Sequence, residues 1–550
     1  MTQIQYLIAC FAILLIYFIF IHKKKKQVID PSLWLKEKED NFNFYLIGKY
    51  FQNNIKFEKE YYQHISDKVS IDLDLDDVFK KIDRTTSRIG QQYLFYKTRV
   101  IHNSAEKLDS FSKLVTFFNN NEKQRQECIT ELSKLKSQNG YFFEELLHEG
   151  LITNKRTAKI CIYLNIAFIS LIIVTIYYPI FFFSLIPLFC ANLFFHYKNK
   201  TVIDYNLNKI TEFIKTHKTA QKIIAIDDYF EVHFENPVFI KVLFQFRKRI
   251  SIIQTDQLTN NEFLMPLWIT IEIIKITFNI EVILYNSYLQ DFNRYKPELN
   301  QLFKFIGEID SSISVSGLHQ SGIKLSKPNF TNQKHLIIED LYHPLIDNCV
   351  SNSLELKNKS MLLTGSNMSG KTTFIRSLAI NCIYSQSLNI SFSKKFISPF
   401  LKIFSSIRTQ DDINQNTSFY LDEVLTIRDF LNSAETNVPH LFILDEIFKG
   451  TNTLERIAIG KSVLSYLNTE DNFVFVSTHD LELADLLQDD NFNLFHFSEN
   501  VTDNALTFSY KLQQGKLQTK NAIRILNLYN YPEKIISEAT EIYNNSLIMN

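Results

Sequence analysis

One stretch, residues 360–380, restricts the fold of this chain more than any other. Ser360-Met361-Leu362-Leu363-Thr364 is an apolar run of strand length that stops at a glycine. Gly365-Ser366-Asn367-Met368-Ser369-Gly370-Lys371-Thr372 follows, and Thr373-Phe374-Ile375-Arg376-Ser377-Leu378-Ala379-Ile380 then reads as a helix. The chain has only 12 glycines in 550 residues, so two of them bracketing this turn carry weight. Glycines at both ends let the backbone close tightly on a ligand. The loop amides and the helix N-terminus direct partial positive charge into the turn. This is the strand, G-x-x-x-x-G-K-T, helix arrangement that cradles a nucleoside triphosphate. It predicts an ATP site lined by Gly365, Ser366, Asn367, Met368, Ser369, Gly370, Lys371, Thr372 and Thr373. Lys371 reaches the β- and γ-phosphates, and the Thr372 hydroxyl ligates Mg²⁺.

Such a site needs carboxylates for the metal and the water. Leu441-Phe442-Ile443-Leu444-Asp445-Glu446 supplies them at the end of an apolar strand. Asp445 is the candidate Mg²⁺ residue and Glu446 the candidate general base. A further strand, Phe473-Val474-Phe475-Val476-Ser477-Thr478, ends in His479. A polar residue at the carboxyl end of a parallel strand lies in the ligand crevice, so His479 is the candidate γ-phosphate sensor.

Upstream, apolar spans dominate. Residues 4–21 carry no charge and are followed by Lys23-Lys24-Lys25-Lys26. At about 1.5 Å per residue this run just crosses a bilayer core of roughly 30 Å. Charge after the run, with no small-residue cleavage site, predicts an uncleaved anchor with the chain inside. Lys159–Tyr177 and Ile180–Phe195 form two more apolar arms, broken at Tyr177-Tyr178-Pro179 and flanked by Lys155-Arg156 on one side and Lys198 and Lys200 on the other. Basic flanks on both sides predict a helical hairpin with both ends in the cytoplasm; the alternative is a pair of buried core helices. Phe263–Leu284 is also apolar but contains Glu272, Lys275 and Glu281, which are costly in lipid, so it is expected to be an amphipathic or buried soluble helix.

Composition sets the remaining bounds. Scarce Gly and Pro (12 and 11) over this length point to long helices. The formal net charge of zero gives no electrostatic sign of nucleic-acid binding. Cys10, Cys128, Cys161, Cys190, Cys349 and Cys382 form no CxxC pair, so free, mostly buried thiols are expected, and no metal beyond Mg²⁺. Asp74, Asp76 and Asp77 read as helix-start or turn residues, Lys23–Lys26 as a topology signal, and 119–122 as a loop.

The motifs together resemble the ATPase domain of the MutS-type mismatch-repair family. Thr364–Thr372 is similar to that family's TGPNMGGKS, the Asn-Met pair being the distinctive part. Leu444–Thr453 resembles its LDEIGRGTST, and Ser477-Thr478-His479 its ATH switch. His343-Pro344 with Asn352 resembles RHP…N, and Asp411-Asp412 with Thr417-Ser418-Phe419 and Glu423 resembles DD…STFMVEM. Asn521-Ala522-Ile523 through Tyr531-Pro532-Glu533 looks like the SYGI…GLPxxVI tail. Ile82-Asp83, Thr86, Gly90 and Tyr93-Leu94 resemble the start of the family's helical core.

The resemblance implies a homodimer with a composite site, Ser418 of one subunit facing the phosphates held by the other, and a C-terminal helix-turn-helix tail that dimerises. It implies DNA as a partner, linked to mismatch repair or recombination. The family stacks adenine on aromatic residues or histidine near the domain's entry and tail; Tyr510 is the tail candidate here, and Cys349 takes the entry position. There are two departures. The mismatch-reading region is replaced by an anchor, and no DNA clamp insertion stands out.

The expected fold class is an α/β P-loop NTPase domain of the MutS/ABC-like kind at residues 335–550. An all-α core and lever domain carrying transmembrane helices precedes it. The expected boundaries are an anchor at 1–30, the first part of the helical core at 31–155, a membrane hairpin at 156–200 and the helical lever, or second part of the core, at 201–334. The expected location is the cytoplasmic (inner) membrane, multi-pass, with the ATPase domain in the cytoplasm. The alternative function is a membrane tether or nucleotide-gated binding module for DNA or another partner, without mismatch recognition. A transporter ATPase predicts an LSGGQ-like run between Lys371 and Asp445, and none is there.

Overall fold

The computed structural model describes residues 33–56, 61–148, 155–250, 265–366, 368–407, 419–436, 438–468, 471–502, 505–517 and 522–548. The expected N-terminal anchor, Asn367 and Ser418 lie outside the described residues, as do Asp411, Asp412 and Thr417.

The N-terminal part is helical. Its main elements are α1 (Phe44–Asn54), α2 (Arg88–Lys97), α3 (Ala105–Asn120), α4 (Lys155–Tyr177), α5 (Phe182–Ile224), α6 (Met265–Thr277), α7 (Ile280–Arg294) and α8 (Lys296–Gln320). The buried side of α8 runs from Leu299 to Leu318 and forms the axis of this part. Aromatic rings fill the space around it: Tyr50 stacks on Phe303 at 4.1 Å, and Phe234 meets Phe305 edge-on at 4.7 Å. Glycines let α2 and α8 approach closely. A Cβ on Gly307 would fall 2.2 Å from the Tyr93 ring, and one on Gly90 would fall 2.1 Å from the Asp310 carboxylate.

Two expectations are corrected here. Asn119 and Asn120 complete α3 rather than forming a loop, and only Asn121 separates α3 from the next helix, Glu122–Leu132. The apolar run around residue 275 is two helices rather than one. The break comes at Asn279, whose φ of 46° lies in the left-handed region. Its amide donates to the Asn192 side-chain oxygen at 2.9 Å, while Asn165 and Asn192 donate to the carbonyls of Phe278 and Thr277. Lys275 is buried between Glu272 (2.7 Å) and Glu281 (2.9 Å), so its charge is paired within the fold.

α4 and α5 form a hairpin that turns at Tyr178-Pro179. Arg156–Tyr177 and Pro179–Thr201 are long and apolar enough to cross a membrane by length and composition. Their outer parts are bare: Ile166, Ile173, Ile176, Ile180 and Phe183 are all exposed. α5 continues without interruption for 43 residues, about 65 Å at 1.5 Å per residue. Its lower half buries Ile210, Phe213, Ile214 and His217 in the helical core.

The C-terminal part is α/β. Its strands are β1 (Asn329–Phe330), β2 (His335–Leu341), β3 (Asn352–Lys357), β4 (Ser360–Thr364), β5 (Lys395–Ser398), β6 (Lys402–Ser406), β7 (His440–Asp445), β8 (Phe473–Thr478), β9 (Phe492–Thr502) and β10 (Ala505–Gln514). Its helices are α9 (Lys371–Leu388), α10 (Phe419–Ala434), α11 (Thr453–Leu467), α12 (Leu481–Gln488), α13 (Ala522–Leu528) and α14 (Glu533–Ile548). The larger sheet has the order β10-β9-β4-β8-β7-β6; β9, β4, β8, β7 and β6 are parallel and β10 is antiparallel at the edge. The smaller sheet has the order β1-β5-β2-β3.

A parallel sheet buried on both faces needs strands that are apolar throughout. The strand alternation shows why. Met361, Leu363, Leu441, Ile443, Phe473 and Phe475 join the core that contains Phe374, Ile375 and Leu378 of α9. Leu362, Phe442, Leu444, Val474 and Val476 point the other way, onto Ile427 and Phe430 of α10, Leu464 of α11 and Leu483 of α12. The helical part also grips this domain. Asp72 accepts hydrogen bonds from Ser405 Oγ (2.7 Å) and the Ile407 amide (3.1 Å), and Arg376 of α9 pairs with Asp74 at 3.1 Å. Asp76 pairs with Arg99. Among the described cysteines, Cys128, Cys161 and Cys382 are buried, Cys349 is half-buried and Cys190 is exposed, all free.

Candidate functional site

β4, β8 and β7 are neighbours and parallel, so their carboxyl ends open on one crevice. Gly365 leaves β4 at φ 153° and Gly370 enters α9 at φ 104°. Neither tolerates a side chain: a Cβ on Gly365 would lie 2.8 Å from Ser369 Oγ, and one on Gly370 would lie 3.3 Å from the Tyr510 ring. Between them, Met368 is 81% exposed at φ 73°. Ser369 is buried and its hydroxyl has no hydrogen-bond partner.

Lys371 is buried, and its ammonium donates to the carbonyls of Gly365 (2.7 Å) and Ser366 (3.0 Å). Burial lowers its pKa, against the pull of Glu446 and Asp445. Thr372 Oγ1 donates to Asp445 Oδ2 at 2.7 Å, and Ser477 Oγ donates to the other carboxylate oxygen. The hydroxyl and the carboxylate expected to share a divalent cation are therefore already in contact.

Glu446 follows at φ 54°, its amide held by the Ser477 carbonyl at 2.8 Å. Its carboxylate lies between Lys449 Nζ (2.5 Å) and His479 Nδ1 (3.4 Å). Burial pushes this carboxyl up, and Lys449 with His479 outweighs it, leaving the pKa below its ordinary value. Next along the turn, Phe448 has φ 58°, and its amide donates to Glu423 Oε1 at 2.6 Å. Arg456 fixes the residue after His479 with two 2.8 Å hydrogen bonds to Asp480.

Lys371, Thr372, Asp445, Glu446 and Lys449 line a cleft of about 820 Å³, within the range of roughly 300–1,000 Å³ for small-molecule sites. Thr373, Phe374 and Asp445 form part of its wall; Cys349, Asn352 and Tyr510 form another part. Tyr510 is half-exposed in the left-handed region at φ 52°, and Asn352 clamps its strand by donating to the Tyr510 carbonyl (3.0 Å) and accepting from the Leu512 amide (2.8 Å). Cys349 accepts from the His343 amide at 3.4 Å. Burial, with Arg376 nearby, pushes the His343 pKa down to about 4.

The structure thus brings Gly365, Ser366, Met368, Ser369, Gly370, Lys371, Thr372, Thr373, Asp445, Glu446, His479 and Tyr510 to one crevice. Sequence reasoning missed three neighbours. Lys449 is legible only as a cation three residues beyond Glu446. Glu499 accepts from the Ser366 hydroxyl and sits on β9, 133 residues away. Glu423 was placed in a motif but not against Phe448.

Residues 361–546 match the family model described as MutS domain V. The chain is 26% identical over 300 residues to the DNA mismatch repair protein MutS of Bacillus cytotoxicus, covering 52% of this chain and 32% of that protein. It is 30% identical over 274 residues to the DNA mismatch repair protein MutS of Staphylococcus aureus, covering 48% of this chain and 31% of that one. The chain thus spans about a third of the length of these curated relatives. These matches support a MutS-like family, with an α/β ATPase-type domain in the C-terminal part of the chain.

Proposed function

We propose that this chain is a membrane-anchored MutS-like ATPase that binds and hydrolyses Mg²⁺–ATP in the crevice at the ends of β4, β8 and β7. One observation carries the reading: Thr372 touches Asp445 at 2.7 Å, beside a buried Lys371 and the pair Glu446 and His479. The residues fit the ligand. Two side-chain-free glycines leave a concavity, an unpartnered Ser369 hydroxyl faces no protein acceptor, and an ammonium now rests on loop carbonyls that phosphate oxygens can replace. Thr372 and Asp445 would hold Mg²⁺, which supplies charge neutralisation on the phosphates. Lys371 adds a fixed positive charge. Glu446 takes a proton from the attacking water once Lys449 releases it. His479 holds the far side of that carboxylate and senses the γ-phosphate. Tyr510, beside Gly370, offers a ring for adenine.

The hairpin of α4 and α5 is proposed to sit in the cytoplasmic membrane. Its exposed apolar flanks support this, as do exposed tyrosines near both ends, Tyr163 and Tyr197 at the base and Tyr177 and Tyr178 at the tip. Homodimer formation through the tail is supported by Tyr529, Tyr531, Ile535 and Ile542, all exposed on α14 or the turn before it. The domain boundaries expected from sequence are retained as part of this proposal. DNA is the proposed partner, by analogy with the relatives' stated role in mismatch repair.

One observation favours a second reading. Glu446 is tied by Lys449, so a nucleotide-gated tether that binds without turnover would leave that pair intact. The test is ATP turnover by the purified full chain, alone and with linear, mismatched or branched DNA, against Lys371→Ala. Turnover lost in the variant and stimulated by one DNA form supports the ATPase. Binding without turnover supports the tether. A variant as active as the intact protein refutes the site.

A further inference from the structure

The turn after β7 places two non-glycine residues, Glu446 and Phe448, in the left-handed region. A bulky side chain there is strained and persists only where its surroundings hold it. In the motif that this turn resembles, LDEIGRGTST, the position of Phe448 is glycine and that of Glu446 is glutamate. The first turns of α10 do the holding. Glu423 is buried and takes the Phe448 amide at 2.6 Å, while its second oxygen is buried without a partner. Tyr420 packs its ring beside Phe448 and lies 3.0 Å from where a Cβ on Gly450 would stand.

α10 is in turn gripped by the helical part. Lys68 donates to Thr426 Oγ1 at 2.5 Å and to Asp422 Oδ2 at 3.4 Å. Lys68 and Asp72 belong to one short helix, Asp67–Asp72, and Asp72 holds Ile407 at the end of β6. A single helix of the helical core therefore touches β6 and α10, and α10 holds the turn that aims Glu446.

We propose that Glu423 is a positioning residue for the general base, and that the helix carrying Lys68 sets Glu446 through it. This rests on the ATPase reading. A shift of α10 loosens the Phe448 amide, and the Glu446–Lys449 turn relaxes away from its strained conformation. Turnover then falls without loss of the phosphate contacts, which come from a different loop. The helical core thereby gains control over hydrolysis separate from nucleotide binding.

The test measures ATP affinity, kcat and KM on the purified full chain, with thermal melting as the folding control. Glu423→Ala is expected to lower kcat by at least about 10-fold, with ATP affinity within about 3-fold, as for loss of an interaction made at the chemical step. Glu423→Gln keeps an acceptor oxygen and is expected to retain most of kcat. Phe448→Gly in the Glu423→Ala background is expected to recover activity, because glycine takes the left-handed conformation unaided. Lys68→Ala is expected to lower kcat in the intact background and to add nothing to Glu423→Ala. Unchanged kcat in Glu423→Ala overturns the inference. So does a loss shared equally by Glu423→Gln and unrelieved by Phe448→Gly, or a Lys68→Ala effect that simply adds. Failure of the ATPase reading shows elsewhere, in intact protein that does not turn over ATP.

Discussion

Asp310 lies where α8 crosses the start of α2, and its replacement by alanine makes a prediction whose size changes with pH. The side chain is fully buried. It accepts hydrogen bonds from the amides of Thr86 (2.9 Å) and Ser87 (2.7 Å) and from the Ser87 hydroxyl (2.6 Å). Ser87 caps α2, so the carboxylate also faces that helix's positive end. Asp310→Ala strands two buried backbone donors, costing about 1–3 kcal/mol each. Burial nevertheless raises the Asp310 pKa from 3.8 to about 6, outweighing Ser87, Thr86 and the charge of Lys38. Two pKa units correspond to about 3 kcal/mol against the ionised form. The folded-state value lies above the unfolded one, so the folded protein binds more protons between these two values. The stability this group contributes is fully present below the unfolded pKa and is lost as pH rises through the folded pKa. The gap between intact protein and Asp310→Ala should therefore be about 2–6 kcal/mol near pH 4 and shrink by up to about 3 kcal/mol by pH 7. Denaturant unfolding of both proteins at the two pH values measures it. A gap that stays constant or widens as pH rises refutes the reasoning.

Gly307→Ala should destabilise the helical part by about 1–3 kcal/mol, because the added methyl meets Tyr93 at 2.2 Å, and thermal melting reads the loss. Ile166→Asp with Ile169→Asp, both exposed near the middle of the Arg156–Tyr177 span, should release the chain from membrane pellets in carbonate extraction, since each acid costs about 2.5–3.5 kcal/mol near a helix centre in lipid; an unchanged pellet fraction counts against the hairpin's insertion. Tyr510→Ala should weaken ATP binding in calorimetry while Tyr510→Phe preserves it, if the ring beside Gly370 stacks the base.

How much of this was legible in the sequence depends on how local each feature is. β4, β7 and β8 are apolar because both sheet faces are covered, so their runs stand out, and the acids and histidine at their ends announce the crevice. Gly365, Gly370 and Lys371 are legible because backbone conformation and charge must occur at fixed spacing. Glu499 against Ser366 and Glu423 against Phe448 are not, since each contact is made by strands or helices that meet only in the folded sheet. The break at Asn279 escaped for a similar reason: it is stabilised by Asn165 and Asn192, more than eighty residues away in sequence. Asn119 and Asn120 misled because asparagine favours turns, yet Ser316 and Gln320 of α8 hydrogen-bond to Asn119 and keep it at the end of α3.

The central claim is that the glycine-bracketed loop before α9 holds the phosphates of ATP against Asp445 and Glu446. Calorimetric titration of the purified chain with ATP and Mg²⁺, beside Lys371→Ala, tests it most directly. The account predicts saturable binding by the intact protein at one nucleotide per chain, and its loss in the variant. Equal binding by both proteins, or none by either, contradicts it.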